Sequence, residues 1–219
     1  IEPYKQRRRD IRAANRIDAL LNRLFIEPSL GMGYPVNTLP AIRRLEKFMQ
    51  SGDEEQMVFN FDFYGLQTYT REIIRHAWLM PYVKARPVPA AKRQVPHTLM
   101  GWEVYPQSIY EVLKQFHNRY QLKKVIITEN GAAFEDIMKD GRICDPRRID
   151  YLRNHIEQSL RAKQEGIPLE GYFVWTFTDN FEWAEGYKPT FGLVHVDFAN
   201  QRRTPKDSAQ WYAGFIGTK

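Results

Sequence analysis

Three short apolar runs, each ending in polar residues, dominate the pattern of this chain: residues 58–68 (VFNFDFYGLQT), 125–129 (VIITE) and 171–179 (GYFVWTFTD). Runs that are apolar on both faces mark strands buried in a parallel sheet, where helices cover either side. Between them the period changes to that of a helix. Residues 106–120 carry Ile109, Val112, Leu113 and Phe116 at helical spacing, and residues 145–165 carry Ile149, Leu152, Ile156 and Leu160. Further helices are expected near residues 10–25, after Leu39, and over residues 205–216. The alternation of strand and helix predicts an α/β fold with parallel strands. The basic, Pro-containing stretch at residues 82–97 is expected to be a long excursion above the sheet.

In sheets of this kind the carboxyl ends of the strands face the ligand. That rule selects Gln67 and Tyr69 after the first strand, Glu129 and Asn130 after the second, and residues 175–183 after the third. In the last tract Trp175, Phe177, Phe181 and Trp183 interleave with Asp179, Asn180 and Glu182. Buried polar groups need partners, and a ligand with both hydroxyls and apolar faces supplies them; a sugar is such a ligand. A packed aromatic corner capped by a turn acid is the alternative.

Composition narrows the function classes. With 43% hydrophobic and 26% charged residues, the chain is neither disordered nor of low complexity. No apolar run approaches the roughly 18 residues of a membrane span, so no membrane partner is expected. The first residue is Ile1 rather than Met, so export is not judged from this end; a cytoplasmic location is the expectation. One cysteine, Cys144, excludes an internal disulfide framework and a cysteine-based zinc cluster. The net charge of +6 raises the question of nucleic acid. Most of that charge sits between Lys5 and Arg16, six basic side chains against Asp10. Without interleaved aromatics for base stacking, the run reads as a solvated helix face, and no nucleic-acid partner is expected.

Four motifs, in order, resemble those of glycoside hydrolase family 1, the β-glucosidases and their relatives. They are DFYGLQTYTR (residues 62–71), GWEVYP (101–106), ITENGAA (127–133) and WTFTDNFEWAEGYKPTFGLVHVD (175–197), followed by QRRTPKDSAQWY (201–212). The resemblance implies a (β/α)8 barrel, and it begins late in that fold. Ile1-Glu2-Pro3 resembles the end of strand five and residues 22–35 the segment leading to helix five. The Asn-Glu-Pro motif that supplies the family's acid/base occurs nowhere in this sequence. The expectation is therefore that residues 1–219 are the C-terminal half of a single barrel domain, with the N-terminal half of the same barrel as partner.

The resemblance also implies the roles. Glu129 is the expected nucleophile of a retaining mechanism and Tyr69 the hydroxyl that supports it. Trp175, Glu182 and Trp183 match sugar-binding positions: an apolar floor, an acceptor and an indole donor. Phe191 resembles an aromatic wall of the same subsite and Trp102 a residue on the leaving-group side. Gln67 stands where many members have Asn, one methylene shorter. Glu182 would repel a phosphate, so the expected substrate is an unphosphorylated β-glycoside. No cofactor and no metal are implied. The alternative is a catalytically incomplete half-barrel that acts as a structural module, binds another ligand in the barrel, or pairs its open edge with a copy of itself as a homo-oligomer.

Overall fold

In the computed structural model, which describes residues 1–217, the three apolar runs pair side by side as parallel strands. Numbered along the chain, the strands are β1 (Glu2–Pro3), β2 (Tyr64–Gln67), β3 (Ile73–His76), β4 (Ala85–Pro87), β5 (Val125–Asn130), β6 (Ile137–Lys139), β7 (Arg142–Cys144), β8 (Leu169–Val174), β9 (Val194–Asp197) and β10 (Arg202–Pro205). The α-helices are α1 (Arg8–Asp18), α2 (Leu24–Ser29), α3 (Asp53–Gln56), α4 (Ala90–Arg93), α5 (Gln107–Tyr120), α6 (Pro146–Gln164) and α7 (Asp207–Gly217). They fall into two units, Ile1–Asp62 with Arg71–Arg93, and Phe63–Thr70 with the chain from Gln94 onward.

The second unit is built on the sheet β2-β5-β8, parallel throughout, in the register Tyr64↔Val125 and Ile127↔Tyr172. Two strands are shorter than their apolar runs. β2 begins only at Tyr64, because the alternating tract before it finds no neighbouring strand and leaves Phe59 and Phe61 exposed. β8 stops at Val174 because the chain then leaves β5 for a different partner: Leu193 donates to the Thr176 carbonyl and Val194 to that of Phe177, both at 2.9 Å. α5 and α6 match their sequence patterns to within two residues at each end, and α6 opens on Pro146, whose fixed φ suits the first helical position. Tyr151, Leu152 and Ile156 of α6 close a core with Ala132, Phe134 and Leu193. Each large apolar side chain so buried contributes about 1.5–3 kcal/mol. Two antiparallel hairpins, β6–β7 and β9–β10, were not in the sequence pattern.

In the first unit β1 pairs parallel to β3, and β3 antiparallel to β4. Ala13 and Ala14 of α1 pack on Ile74 and Ala85 of these strands. The helical stretch expected near residues 10–25 starts earlier, at Arg8, and runs through a π-turn at Ala19–Arg23 into α2. The segment after Leu39 is a 3-10 helix, Pro40–Phe48. Residues 82–97, expected as one long excursion above the sheet, instead contain β4, hydrogen-bonded to β3 with Ala85 buried, and α4 shortly after it.

Candidate active site

Strand ends of the second unit bring three of the sequence-selected side chains into direct contact. Glu129, the fifth residue of β5, receives two hydrogen bonds: the Tyr69 hydroxyl donates to Oε2 at 2.6 Å and the Gln67 amide Nε2 donates to Oε1 at 2.7 Å. Burial, then the bond to Glu129 and the charges of Glu129 and Glu182, push the Tyr69 phenol well above its usual value. Tyr69 therefore stays protonated and remains a donor at every working pH.

Aromatic rings enclose one side of this group. Trp102 lies 5.1 Å from Tyr69 between ring centroids, and Phe191 lies 6.0 Å from Trp102 and 6.3 Å from Tyr69, edge-on. Phe191 is fully buried and backs the wall that Tyr69 and Trp102 form. Glu182 is half-buried; its Oε2 accepts from the Asn180 amide at 3.3 Å and its backbone N–H donates to the Gly186 carbonyl. Trp183 adjoins it with a positive φ of 44° and is 83% exposed. Trp175 is partly exposed, and its backbone N–H donates to the Asn130 carbonyl at 2.9 Å, which ties the end of β8 to the end of β5. Gly131 is required at that junction. A Cβ there would lie 1.8 Å from the Trp175 carbonyl oxygen, closer than any atom pair tolerates.

Beneath Glu129 runs a hydrogen-bonded layer that local sequence patterns do not show. The Asn130 amide donates to the Thr68 carbonyl at 2.5 Å and to the Tyr151 hydroxyl at 3.2 Å, and accepts from the Tyr172 hydroxyl at 2.5 Å. The Tyr151 hydroxyl in turn donates to the Tyr69 carbonyl at 2.9 Å. Two of these four hydrogen bonds end on the Thr68 and Tyr69 carbonyls and so fix the backbone between Gln67 and the Tyr69 ring, the two donors to Glu129. His155 stacks on Tyr151 at 3.8 Å and donates from Nδ1 to its carbonyl; burial pulls the imidazole down to about 4, so it is neutral near pH 7.

The sequence left Asp179 either to a ligand or to a structural role as a turn acid, and the structure gives it the structural role. Asp179 is buried and fully used within the protein: it accepts from the Gly192 N–H at 2.8 Å and from Lys206 Nζ at 3.0 Å, and lies 3.1 Å from His195 Nδ1. Its local neighbours gave no sign of partners 13 and 27 residues downstream. Asp136, Asp179 and His195 have the spacing of metal ligands. Yet the Lys206 ammonium, wholly buried, sits among them at 2.7 Å from Asp136 and 3.0 Å from Asp179, so both carboxylates already pair with a side-chain cation. Beside it, buried Arg148 bonds Asp145, Asp136 and the Ala132 and Thr190 carbonyls, while Asp145 accepts from the Ser208 backbone at 2.8 Å. These ion pairs hold together the loops after β5 and β8 and the start of α7.

The model of glycosyl hydrolase family 1 matches residues 1–219. The "1,4-beta-D-glucan glucohydrolase" of Thermotoga neapolitana is 44% identical over 98% of this chain and 48% of its own length. Among solved structures, the AHE enzyme from Alicyclobacillus herbarius superposes with a TM-score of 0.92 at 37% identity, covering 99% of this chain and 49% of that one. The family 1 β-glucosidase from Thermotoga maritima does so with a TM-score of 0.89 at 39% identity, covering 98% and 48%. The chain thus spans about half the length of the relatives it matches.

Proposed function

The chain belongs to glycosyl hydrolase family 1, with the (β/α)8 barrel fold of that family, and on that premise we propose that it carries the nucleophile side of a retaining β-glycosidase site. The observation that supports this most is the Glu129 carboxylate at a strand end with a donor on each oxygen. A retaining site needs two carboxyl groups roughly 5–5.5 Å apart. In the proposed reaction a Glu129 oxygen attacks the anomeric carbon while the bond to the aglycone oxygen breaks, and that oxygen takes a proton from the second carboxyl. Water then attacks the same carbon, gives its proton to that second group, and releases the sugar and the free Glu129 carboxylate.

The second carboxyl, on this reading, comes from residues outside this chain: residues 1–219 form the C-terminal half of one barrel domain whose partner is the N-terminal half. The substrate is an unphosphorylated β-glycoside. Glu182 accepts sugar hydroxyls and repels a phosphate, Trp183 donates from its indole, and Trp175 and Trp102 offer apolar faces on the sugar and leaving-group sides.

Labelling tests the nucleophile. A 2-deoxy-2-fluoro-β-glucosyl fluoride, which forms the glycosyl-enzyme quickly and releases it slowly, is expected to leave a sugar ester on Glu129 of the enzyme assembled with its N-terminal half. A stable adduct on another carboxylate, or none, overturns the assignment. A second measurement tests the division of the site. Robust turnover of an unactivated alkyl β-glucoside by this chain alone, abolished by Glu129→Gln, would show that no outside acid is needed.

A further inference from the structure

A cavity of about 580 Å³ in the first unit carries a chemistry unrelated to sugar hydrolysis. Its wall includes Lys5, Arg7, Arg9, Arg75 and Arg86, five cations, against one carboxylate, Asp10. Asp10 is buried, and its Oδ1 accepts from the His76 backbone N–H at 2.9 Å. No carboxylate among the described residues forms an ion pair with any of the four arginines.

Two of these placements work against local stability. Arg75 on β3 stands directly opposite Arg86 on β4 in the antiparallel register, and like charges in that position repel. Arg7 and Arg9 lie at the start of α1, where the helix dipole favours anions and disfavours cations, and the helix has no side-chain cap. Local conflicts of this kind are retained where a function uses them. A single species relieves both: an anion in the cavity would bridge Arg75 and Arg86 and complement the N-terminus of α1. The cavity also has an apolar component. Trp78 is 74% exposed at the turn after β3, and Tyr4 is exposed beside Lys5, its ring 5.7 Å from the ammonium. An exposed indole next to guanidinium groups suits a planar ring joined to a charged group.

We propose that this cavity binds a small organic polyanion made of a planar ring and at least two linked oxyanion groups, the chemistry of a nucleoside diphosphate. The oxyanions pair with the arginines and the ring lies on Trp78. The proposal concerns only the first unit and stands or falls independently of the glycosidase reading. It also gives a use to Lys5, Arg7 and Arg9, three of the six cations of the basic run.

Calorimetric titration of the purified protein with ADP, pyrophosphate, adenosine and a short DNA duplex tests it. The expected result is saturable 1:1 binding of ADP, weaker binding of pyrophosphate, and none of adenosine. Arg75→Gln and Arg9→Gln should each weaken ADP and pyrophosphate about tenfold or more, the scale of one charge-assisted hydrogen bond. Trp78→Ala should bring ADP down to the affinity of pyrophosphate and leave pyrophosphate unchanged. Melting gives an independent readout: Arg86→Thr should raise the melting temperature in anion-free buffer, by removing the repulsion with Arg75, and should abolish the rise that ADP produces in the parent protein. Unsaturable uptake that scales with anion charge and ignores these variants overturns the proposal. So does DNA binding tighter than that of ADP and lost with the same arginines, which would make the cavity part of a nucleic-acid surface.

Discussion

At residue 69 the difference between tyrosine and phenylalanine is a single hydroxyl, and that hydroxyl donates to the carboxylate proposed as nucleophile. Hydrogen bonds to charged groups contribute about 1.5–3 kcal/mol. Tyr69→Phe in the assembled enzyme should therefore lower kcat/KM for an aryl β-glucoside by roughly 10- to 100-fold while the fold survives, because the Trp102 and Phe191 contacts need only the ring. Steady-state kinetics beside Glu129→Gln, expected to be inactive, checks this. A second prediction lies at His155. Burial lowers its pKa from 6.5 to about 4, so between those values the unfolded chain binds a proton that the folded chain does not. Stability from this group is complete above pH 6.5 and falls as the pH drops towards 4, by about 3 kcal/mol in all. His155→Phe keeps the stack on Tyr151 without a titrating group, and urea unfolding from pH 7 to pH 4 should show a flatter decline than in the parent.

Between elements, the end of β5 and the end of β8 meet where only a hydrogen atom fits, between Gly131 and the Trp175 carbonyl. In the enzyme assembled with its N-terminal half, Gly131→Ala should force the two strand ends apart and lower both the proposed glycoside turnover and the melting temperature, whereas Gly214→Ala, in open space inside α7, should leave turnover unchanged and raise the melting temperature slightly. The loops beyond those strands depend on Lys206. Lys206→Met keeps the length and removes the charge, which leaves the buried Asp179 carboxylate beside partly buried Asp136 without its ammonium; the cost should be about 3–5 kcal/mol in urea unfolding, and less when Asp179→Asn is added. How far such features are legible in a sequence depends on the range of the interaction. The strands β5 and β8 and the helices α5 and α6 follow from local periodicity. Glu129, Tyr69 and Gln67 follow from strand-end position and resemblance. The hairpin β6–β7 had a short-range signal, Asp140-Gly141 with positive φ at both residues, which the helix-and-strand pattern passed over. Asp179 had none, because its partners lie on segments that only the folded chain brings near.

For the molecule as a whole, the consequential surface is aromatic. In the second unit Phe173, Phe177, Phe181 and Trp183 are all exposed, and the sheet β2-β5-β8 ends on strands with no further neighbour among the described residues. Exposed apolar side chains beside unpaired strand edges favour association. Light scattering should show the isolated chain moving to higher mass as concentration rises, and a stoichiometric complex with the N-terminal half should suppress that growth and restore glycoside turnover. The buried ammonium of Lys206 has a different reach. A counter-charge fixed to the backbone cannot diffuse away, be chelated or be replaced by a competing ion, so the loops it holds have a geometry indifferent to the ionic content of the surrounding medium. Treatment with a strong chelator should leave the melting temperature of this region where it was.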